Sequence, residues 1–391
     1  MSFSKKTIRD IDVKGKRVIV RTMLNAPIKA GQVNDAMRLK AAKPTIEYLL
    51  DHGARIILIS HHSHDGQSLE PVADALSKIL HHDVKFIPST IGAAAERAVK
   101  ALKPLDILLL ENLRFHPEEE ANDIEFAKTL ASYGDIFVED DFTTCHRAHA
   151  SLVGIPKYLP AVAGFGVERE VTTITNVLEN PSRPLIAVTG GAKLSTKIPI
   201  LSFLLAKVDA VFVGGAMANT FLAATGKSVG KSLVESDQIE LSKSIIANAK
   251  KDNKKLFLPL DVVVTTSIDT PTDVRTVDIN DVGNEDIIVD LGPNTIAQLD
   301  QVITDNCTII WNGPAGIFET KEFAAGTKAL ADKIILSDSY SLVGGGDTCD
   351  FVNNSGLSDK FSFVSTGGGA SLELMSGNSL PGVEALLDKE T

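Results

Sequence analysis

Short apolar runs rich in β-branched residues recur along the chain, separated by longer segments whose apolar residues fall at helical spacing. That alternation predicts parallel strands covered by helices. In the first half the expected strands are Arg17–Arg21, Arg55–Ser60, Val84–Ile87, Asp106–Leu110 and Asp135–Val138. In the second half they are Leu185–Thr189, Asp209–Val213, Leu256–Leu258, Ile287–Asp290, Thr308–Trp311, Ser339–Val343 and Phe361–Val364. Ala41–His52 and Ile124–Tyr133 carry helical patterns, and a further helix from about Val167 to Asn180 is closed by Pro181 and Pro184. The expected fold is therefore α/β, with two doubly wound parallel-sheet domains of Rossmann-like type joined by that helix.

Length agrees with two domains, since 391 residues exceed one ordinary core. The expected division is 1–165, a connecting helix over 166–183, and 184–370, with a tail of about 371–391 returning to the first domain. No apolar run is long enough to span a bilayer, and the first residues lack an apolar signal core. Cys145, Cys307 and Cys349 show no Cys-x-x-Cys spacing, which fits a reduced cytoplasm better than a disulfide framework. A formal charge of −11 argues against nucleic acid as a partner. All nine histidines nevertheless lie within the first 149 residues, and several fall with Arg21, Arg38, Arg114 and Arg147 where strands end. Basic groups gathered at strand ends of an acidic protein point to a small anionic ligand.

Ligands of doubly wound sheets sit at the carboxyl ends of strands, and two such sheets facing each other would offer two sites across one cleft. Gly226-Lys227-Ser228 and Gly230-Lys231-Ser232 lack the earlier glycine of a Walker loop, having Phe221 and Thr225 there. The dinucleotide fingerprint fails as well, because Cys349 and Leu372 stand where its last glycine belongs. Four glycine turns remain, each just after an expected strand: Gly190-Gly191-Ala192-Lys193, Gly214-Gly215-Ala216, Gly344-Gly345-Gly346-Asp347-Thr348 and Gly367-Gly368-Gly369-Ala370-Ser371. Glycine lets backbone amides approach an anion, and a following helix start adds its positive end. Lys193 and Lys197, four apart, would project from one helix face. Asp347 could hold Mg2+ through its carboxylate or serve as a plain cap.

Together these segments resemble phosphoglycerate kinases. The resemblance runs from Lys14-Gly15-Lys16-Arg17 to Leu380-Pro381-Gly382-Val383 and is carried by several motifs. In the first half they are Glu111-Asn112-Leu113-Arg114-Phe115-His116-Pro117 and His146-Arg147-Ala148-His149-Ala150-Ser151. In the second they are Gly190-Gly191-Ala192-Lys193 with Lys197, Trp311-Asn312-Gly313-Pro314 with Gly316 and Glu319, and the last two glycine turns. The resemblance implies phosphoryl transfer between 1,3-bisphosphoglycerate and Mg-ADP, giving 3-phosphoglycerate and Mg-ATP, by a cytoplasmic monomer. It further implies that Gly191, Ala192, Lys197, Gly215, Asn312, Pro314, Gly316, Ile317, Glu319, Gly346 and Thr348 bind nucleotide, with Asp347 on Mg2+. Arg38 and Lys193, helped by amides of Gly345 and Gly367, would stabilise the moving group. Arg21, Asn25, Arg38, His61, Arg114, His146, Arg147 and His149 would hold the glycerate phosphate.

The departures from the family pattern cluster in the first half. Met23 stands where the family has an aspartate that accepts from the glycerate hydroxyl, and His64 where it has an arginine. The family's Asn-Asp-Ala-Phe-Gly-Thr-Ala-His reads Glu139-Asp140-Asp141-Phe142-Thr143-Thr144-Cys145-His146, and Ala36 and Met37 replace polar residues beside Arg38. The nucleotide half departs modestly, at Thr196, Ala216 and Asn294. Losing one hydrogen bond to a charged partner costs about 1.5–3 kcal/mol, so two losses would lower substrate use roughly a hundredfold. Such clustering implies a remodelled glycerate pocket, by selection or by engineering. Three alternatives follow: Cys145 as an acyl-transfer nucleophile with His64 or His146 as base and Asp141 orienting it; a transition-metal site of His61, His62, His64, Asp140, Asp141 and His146; or nucleotide binding without turnover.

Overall fold

The structure is a computed structural model that describes residues 3–62 and 66–389. Its chain divides into two compact units, Met1–Thr172 with Ser379–Thr391, and Thr173–Asn378. The division falls inside the helix Phe165–Glu179.

Six parallel strands form the sheet of the first unit, in the order Val84–Ile87, Ile107–Leu110, Arg55–Ile59, Arg17–Arg21, Ile136–Glu139, Ala161–Ala163. The central strand reads Arg-Val-Ile-Val-Arg, and its β-branched residues are buried on both faces, as helices on both sides require. Both its neighbours come later in the chain and flank it on opposite sides, so the sheet switches between Arg17–Arg21 and Ile136–Glu139. The helices Met37–Asp51 and Glu70–Leu80 pack Leu39, Ile46, Leu49, Val72 and Leu76 onto the sheet residues Val18, Val20, Ile56 and Leu58. Asp123 caps the helix Ile124–Ala131 by accepting from the Phe126 amide at 2.9 Å.

The second unit also has six parallel strands, in the order Lys255–Phe257, Ala210–Val213, Leu185–Thr189, Thr308–Asn312, Tyr340–Gly344, Phe363–Val364. Numbered along the chain this is 3-2-1-4-5-6, the dinucleotide-fold order, with its switch between Leu185–Thr189 and Thr308–Asn312. Trp311 is fully buried there and packs edge-on against Phe351.

Two expectations need correction. Ile287–Asp290 is a strand (Ile287–Leu291), but it does not belong to the parallel sheet. It pairs antiparallel with Asp261–Thr265, which pairs with Arg275–Asp278, in a separate three-stranded sheet. Ile288 packs, partly buried, on a small core of Leu222, Val262, Val264 and Ile279, and Leu291 joins the core of the parallel sheet. The second correction concerns Lys193 and Lys197. The helix starts only at Ile198, so Lys193 lies in the preceding loop and the two lysines share no helix face.

Candidate active site

In the second unit, the loops after the two switch-point strands are bound to each other. Gly190 and Gly191 donate their amides to the carbonyls of Asn312 and Pro314, at 3.0 and 2.9 Å. The approach is too close for side chains: a Cβ on Gly313 would come within 2.2 Å of the Gly190 oxygen, and φ there is +107°. The Trp311 indole donates to the Gly313 carbonyl at 2.9 Å and steadies the same turn.

Above these loops opens a cavity of about 530 Å³. Gly191, Ala192, Gly215, Pro314, Gly316, Ile317, Glu319 and Asp347 line it, all expected at the nucleotide. Asp347 stands exposed in the first turn of the helix Gly346–Asn354. Lys197 caps the helix Ile198–Lys207 and donates from Nζ to Asn312 Oδ1. Burial lowers the pKa of its ammonium, while the charge of Asp347 acts in the opposite direction. A half-buried lysine within the field of an aspartate that lines an apolar cavity suits an anion that also carries a cation.

Other expected nucleotide contacts serve the scaffold instead. Asn312 is buried and holds Lys197. Thr348 is buried too, and its hydroxyl accepts the Gly313 amide at 2.7 Å, tying the turn to the helix start. The amide of Gly367, expected to assist transfer, donates to Ser365 Oγ at 3.2 Å. Gly345 is the buried N-cap of the helix Gly346–Asn354 with φ +92°, and Gly346 is exposed. Lys193 is exposed.

In the first unit, the strand ends gather a basic cluster. Arg38 is exposed and donates from Nη1 to the Asn25 carbonyl at 2.7 Å. Arg114 is ion-paired with Glu120. Burial lowers the Arg114 pKa, and the neighbouring charge of Arg147 lowers it further. Burial and then Arg114, Arg21 and Arg147 bring His149 down to about 4. Arg147 Nε lies 3.5 Å from His146 Nε2. Asn25 Oδ1, Arg114 Nε, His61 Nδ1 and His149 Nδ1 are buried without a hydrogen-bond partner among the described residues. Cations that depress one another beside unpaired polar atoms are arranged for an anion.

Arg21 does not belong to that ligand set. It is completely buried and donates to Ser151 Oγ at 2.9 Å, Asp141 Oδ2 at 2.8 Å and Thr144 Oγ1 at 2.6 Å. Burial works against the charge of Asp141, yet the Arg21 guanidinium, His61 and the Thr143 hydrogen bond together hold that carboxyl below its ordinary range. The expected repulsion between Asp141 and a phosphate is thus largely cancelled inside the protein. Burial brings His61, 3.6 Å from Asp141, down to about 3.

Cys145 is no nucleophile here. It is fully buried, its Sγ donates to the Asp141 carbonyl at 3.5 Å, and burial pushes the thiol well above its usual pKa. The histidine–aspartate metal site finds no support either. Among the described residues, no three His, Cys, Asp or Glu side chains come together to hold an ion. His62 Nε2 lies 2.8 Å from the Ala26 carbonyl, while Asp140 accepts from Thr45 Oγ1 and the Gly166 amide. His64 lies outside the described residues.

The sequence reading missed the far wall of the cavity, made of Asn219, Leu233, Pro259, Val262, Ile268 and Ile287–Leu291. These residues come from the small antiparallel sheet and from the segment before it. A glycine-motif search does not reach them, because apolar walls carry no motif.

A sequence profile for the family described as phosphoglycerate kinase matches residues 8–378. The phosphoglycerate kinase of Pelotomaculum thermopropionicum is 46% identical over 392 residues, covering 99% of this chain and 100% of that one. That of Chloroflexus aurantiacus is 47% identical over 399 residues, with 99% and 100% covered. Among solved structures, the phosphoglycerate kinase of Coxiella burnetii matches with a TM-score of 0.89 at 39% identity, covering 98% of this chain and 99% of the other. The enzyme of Pyrococcus horikoshii OT3 gives 0.84 at 29%, covering 97% and 98%. With sequence and fold alike along its whole length, the chain belongs to the phosphoglycerate kinase family.

Proposed function

We propose that this chain transfers a phosphoryl group reversibly between Mg-ATP and the carboxylate of 3-phosphoglycerate, forming Mg-ADP and 1,3-bisphosphoglycerate. The observation that carries this reading is the second-unit cavity, with its apolar walls, Asp347 on its lining and Lys197 within reach of the Asp347 charge. In the forward direction, a carboxylate oxygen attacks the γ-phosphorus as the bond to the β-bridging oxygen breaks, and ADP leaves. Such transfer needs alignment and charge neutralisation, with no covalent intermediate on the protein.

The apolar walls hold the base, Glu319 accepts from the ribose hydroxyls, and Lys197 neutralises the phosphate chain. Asp347 fits Mg2+, which keeps most of its waters and takes one or two carboxylates alongside substrate phosphates. When bound at Asp347, the ion would neutralise charge on the phosphate chain. Arg38 and Lys193 stabilise the equatorial oxygens of the moving group, and the amide of Gly345 assists. Arg114, Arg147, His146 and His149, with Asn25, hold the phosphorylated acid. Met23 cannot accept a hydrogen bond from the acid's hydroxyl as a carboxylate would, so turnover is slower than in relatives with an aspartate there.

A coupled assay of ADP release from Mg-ATP with 3-phosphoglycerate tests the reading. Turnover is expected, and Lys197→Met should weaken nucleotide binding ten- to hundredfold, the loss of one charge-assisted contact of about 1.5–3 kcal/mol. Unchanged binding in that variant would remove Lys197 from the site, and no 3-phosphoglycerate-dependent ADP release would refute the transfer itself.

A further inference from the structure

Three glutamates stand in a row at 118–120, and the middle one is set apart from its neighbours. Glu118 and Glu120 are exposed, whereas Glu119 is fully buried. Both of its carboxylate oxygens are taken by one residue. Oε2 accepts the Ser151 amide at 2.9 Å, and Oε1 accepts the Ser151 hydroxyl at 2.5 Å. Ser151 is fully buried as well, and its Oγ accepts in turn from Arg21 Nε at 2.9 Å. A buried carboxylate is costly unless its lone pairs are met, and here a serine 32 residues away meets them.

The two ends of this contact lie on the two chain segments that carry the basic cluster of the first unit. Arg114 sits in the turn Leu113–Phe115, which leads through His116 into the helix Pro117–Glu120. The Glu119 amide donates to the His116 carbonyl at 3.1 Å, tying that helix to the turn. Arg147 and His149 come just before Ser151 in the other segment. There the amides of Leu152 and Val153 donate to the His149 carbonyl at 3.0 and 2.9 Å. The charge of Glu119 also reaches Arg114 and Arg21. Glu119 and Ser151 thus form a strut between the Arg114 segment and the Arg147–His149 segment.

We infer that Glu119 is a positioning residue for the anion cluster: through Ser151 it sets the distance between Arg114 and the pair Arg147 and His149. The inference rests on the reading of that cluster as the place of the acid's phosphate, and adds what fixes its spacing. Charge-assisted hydrogen bonds work over a narrow range of about 2.7–2.9 Å, so groups from two segments grip one phosphate only when their backbones are held at a set separation. A misplacement of about 1 Å can cost as much as a hundredfold.

Steady-state assays of 3-phosphoglycerate-dependent ADP release, run well below the melting temperature of each protein, test this together with calorimetric titration of Mg-ADP. Glu119→Ala removes both bonds and should raise KM for 3-phosphoglycerate about tenfold or more, with kcat changing much less. Ser151→Ala breaks the hydroxyl bond alone and should raise KM about threefold; it carries the test should the first variant not fold. Glu119→Gln keeps an oxygen for the Ser151 amide and brings an N–H to the Ser151 hydroxyl, so KM should stay within about twofold of the unmodified chain. Mg-ADP affinity should be unchanged in all three. An unaltered KM in the alanine variants would overturn the inference. Equal damage from glutamine and alanine at 119 would also overturn it, since the charge and not the span would then be acting, as would a parallel loss of Mg-ADP affinity. Absence of 3-phosphoglycerate-dependent release from the unmodified chain would instead overturn the transfer reading itself.

Discussion

Arg21 and Asp141 form a charge pair with no exposed surface, and they illustrate how residues at this site divide between holding ligand and holding each other. A buried charge that loses its partner costs about 3–5 kcal/mol, far more than any surface ion pair. Asp141→Ala is therefore expected to lower the unfolding free energy of the first unit by that amount, read from urea titrations followed by fluorescence or circular dichroism. A loss below about 1 kcal/mol would mean that the pair is not closed in solution. Chemistry type was legible at these positions, but assignment was not. From the sequence, Arg21 reads as one more basic group at a strand end and Asp141 as an unwelcome negative charge. Only the three-dimensional pairing shows that the two neutralise each other, and likewise that Thr348 and Gly367 spend their polar groups on the scaffold. That Asp347 would line a cavity was legible, because it follows a glycine turn at a strand end.

Among the elements, the turns after the switch-point strands carry the most information. Gly313 accepts no side chain without moving backbone, so Gly313→Ala combines a strained φ, worth about 1–3 kcal/mol, with a clash against the Gly190 carbonyl. Its melting temperature should fall by several degrees, and nucleotide binding should weaken with it; an unchanged melting curve would contradict the geometry. The parallel strands were legible because runs buried on both faces are continuous and β-branched. The three-stranded antiparallel sheet was largely missed, since Arg275–Asp278 is mostly exposed and polar and Asp261–Thr265 stands isolated between loops. That sheet supplies much of the cavity wall, so the site's apolar half went unread.

The helix Phe165–Glu179 begins on a buried carboxylate. Asp140 accepts the Gly166 amide at 2.8 Å and the Thr45 hydroxyl at 2.9 Å, and burial pushes its pKa up to about 7. Because the folded chain binds this proton more tightly than the unfolded chain, the contribution of Asp140 is complete below about pH 4. It is lost progressively as the pH rises through about 7. Asp140→Asn keeps an acceptor for both donors and removes the titration. Its unfolding midpoint should vary less between pH 4 and 7 than that of the unmodified chain, and it should be relatively more stable at pH 8. Parallel pH profiles for the two proteins would contradict the assignment.

For the molecule as a whole, length and alternation made a two-unit α/β chain legible, while the precise hydrogen-bond economy of each strand end was not. Each unit places its candidate ligand groups at the switch point of its own sheet, one basic and the other apolar with a lysine and an aspartate. The central claim is that these serve the two halves of one phosphoryl exchange. It is tested most directly by incubating the chain with Mg-ATP, 3-phosphoglycerate and hydroxylamine, which captures an acyl phosphate as a stable hydroxamate. Hydroxamate formed in proportion to ADP, and only when 3-phosphoglycerate is present, is the predicted result. Nucleotide binding or ATP hydrolysis without hydroxamate would contradict it.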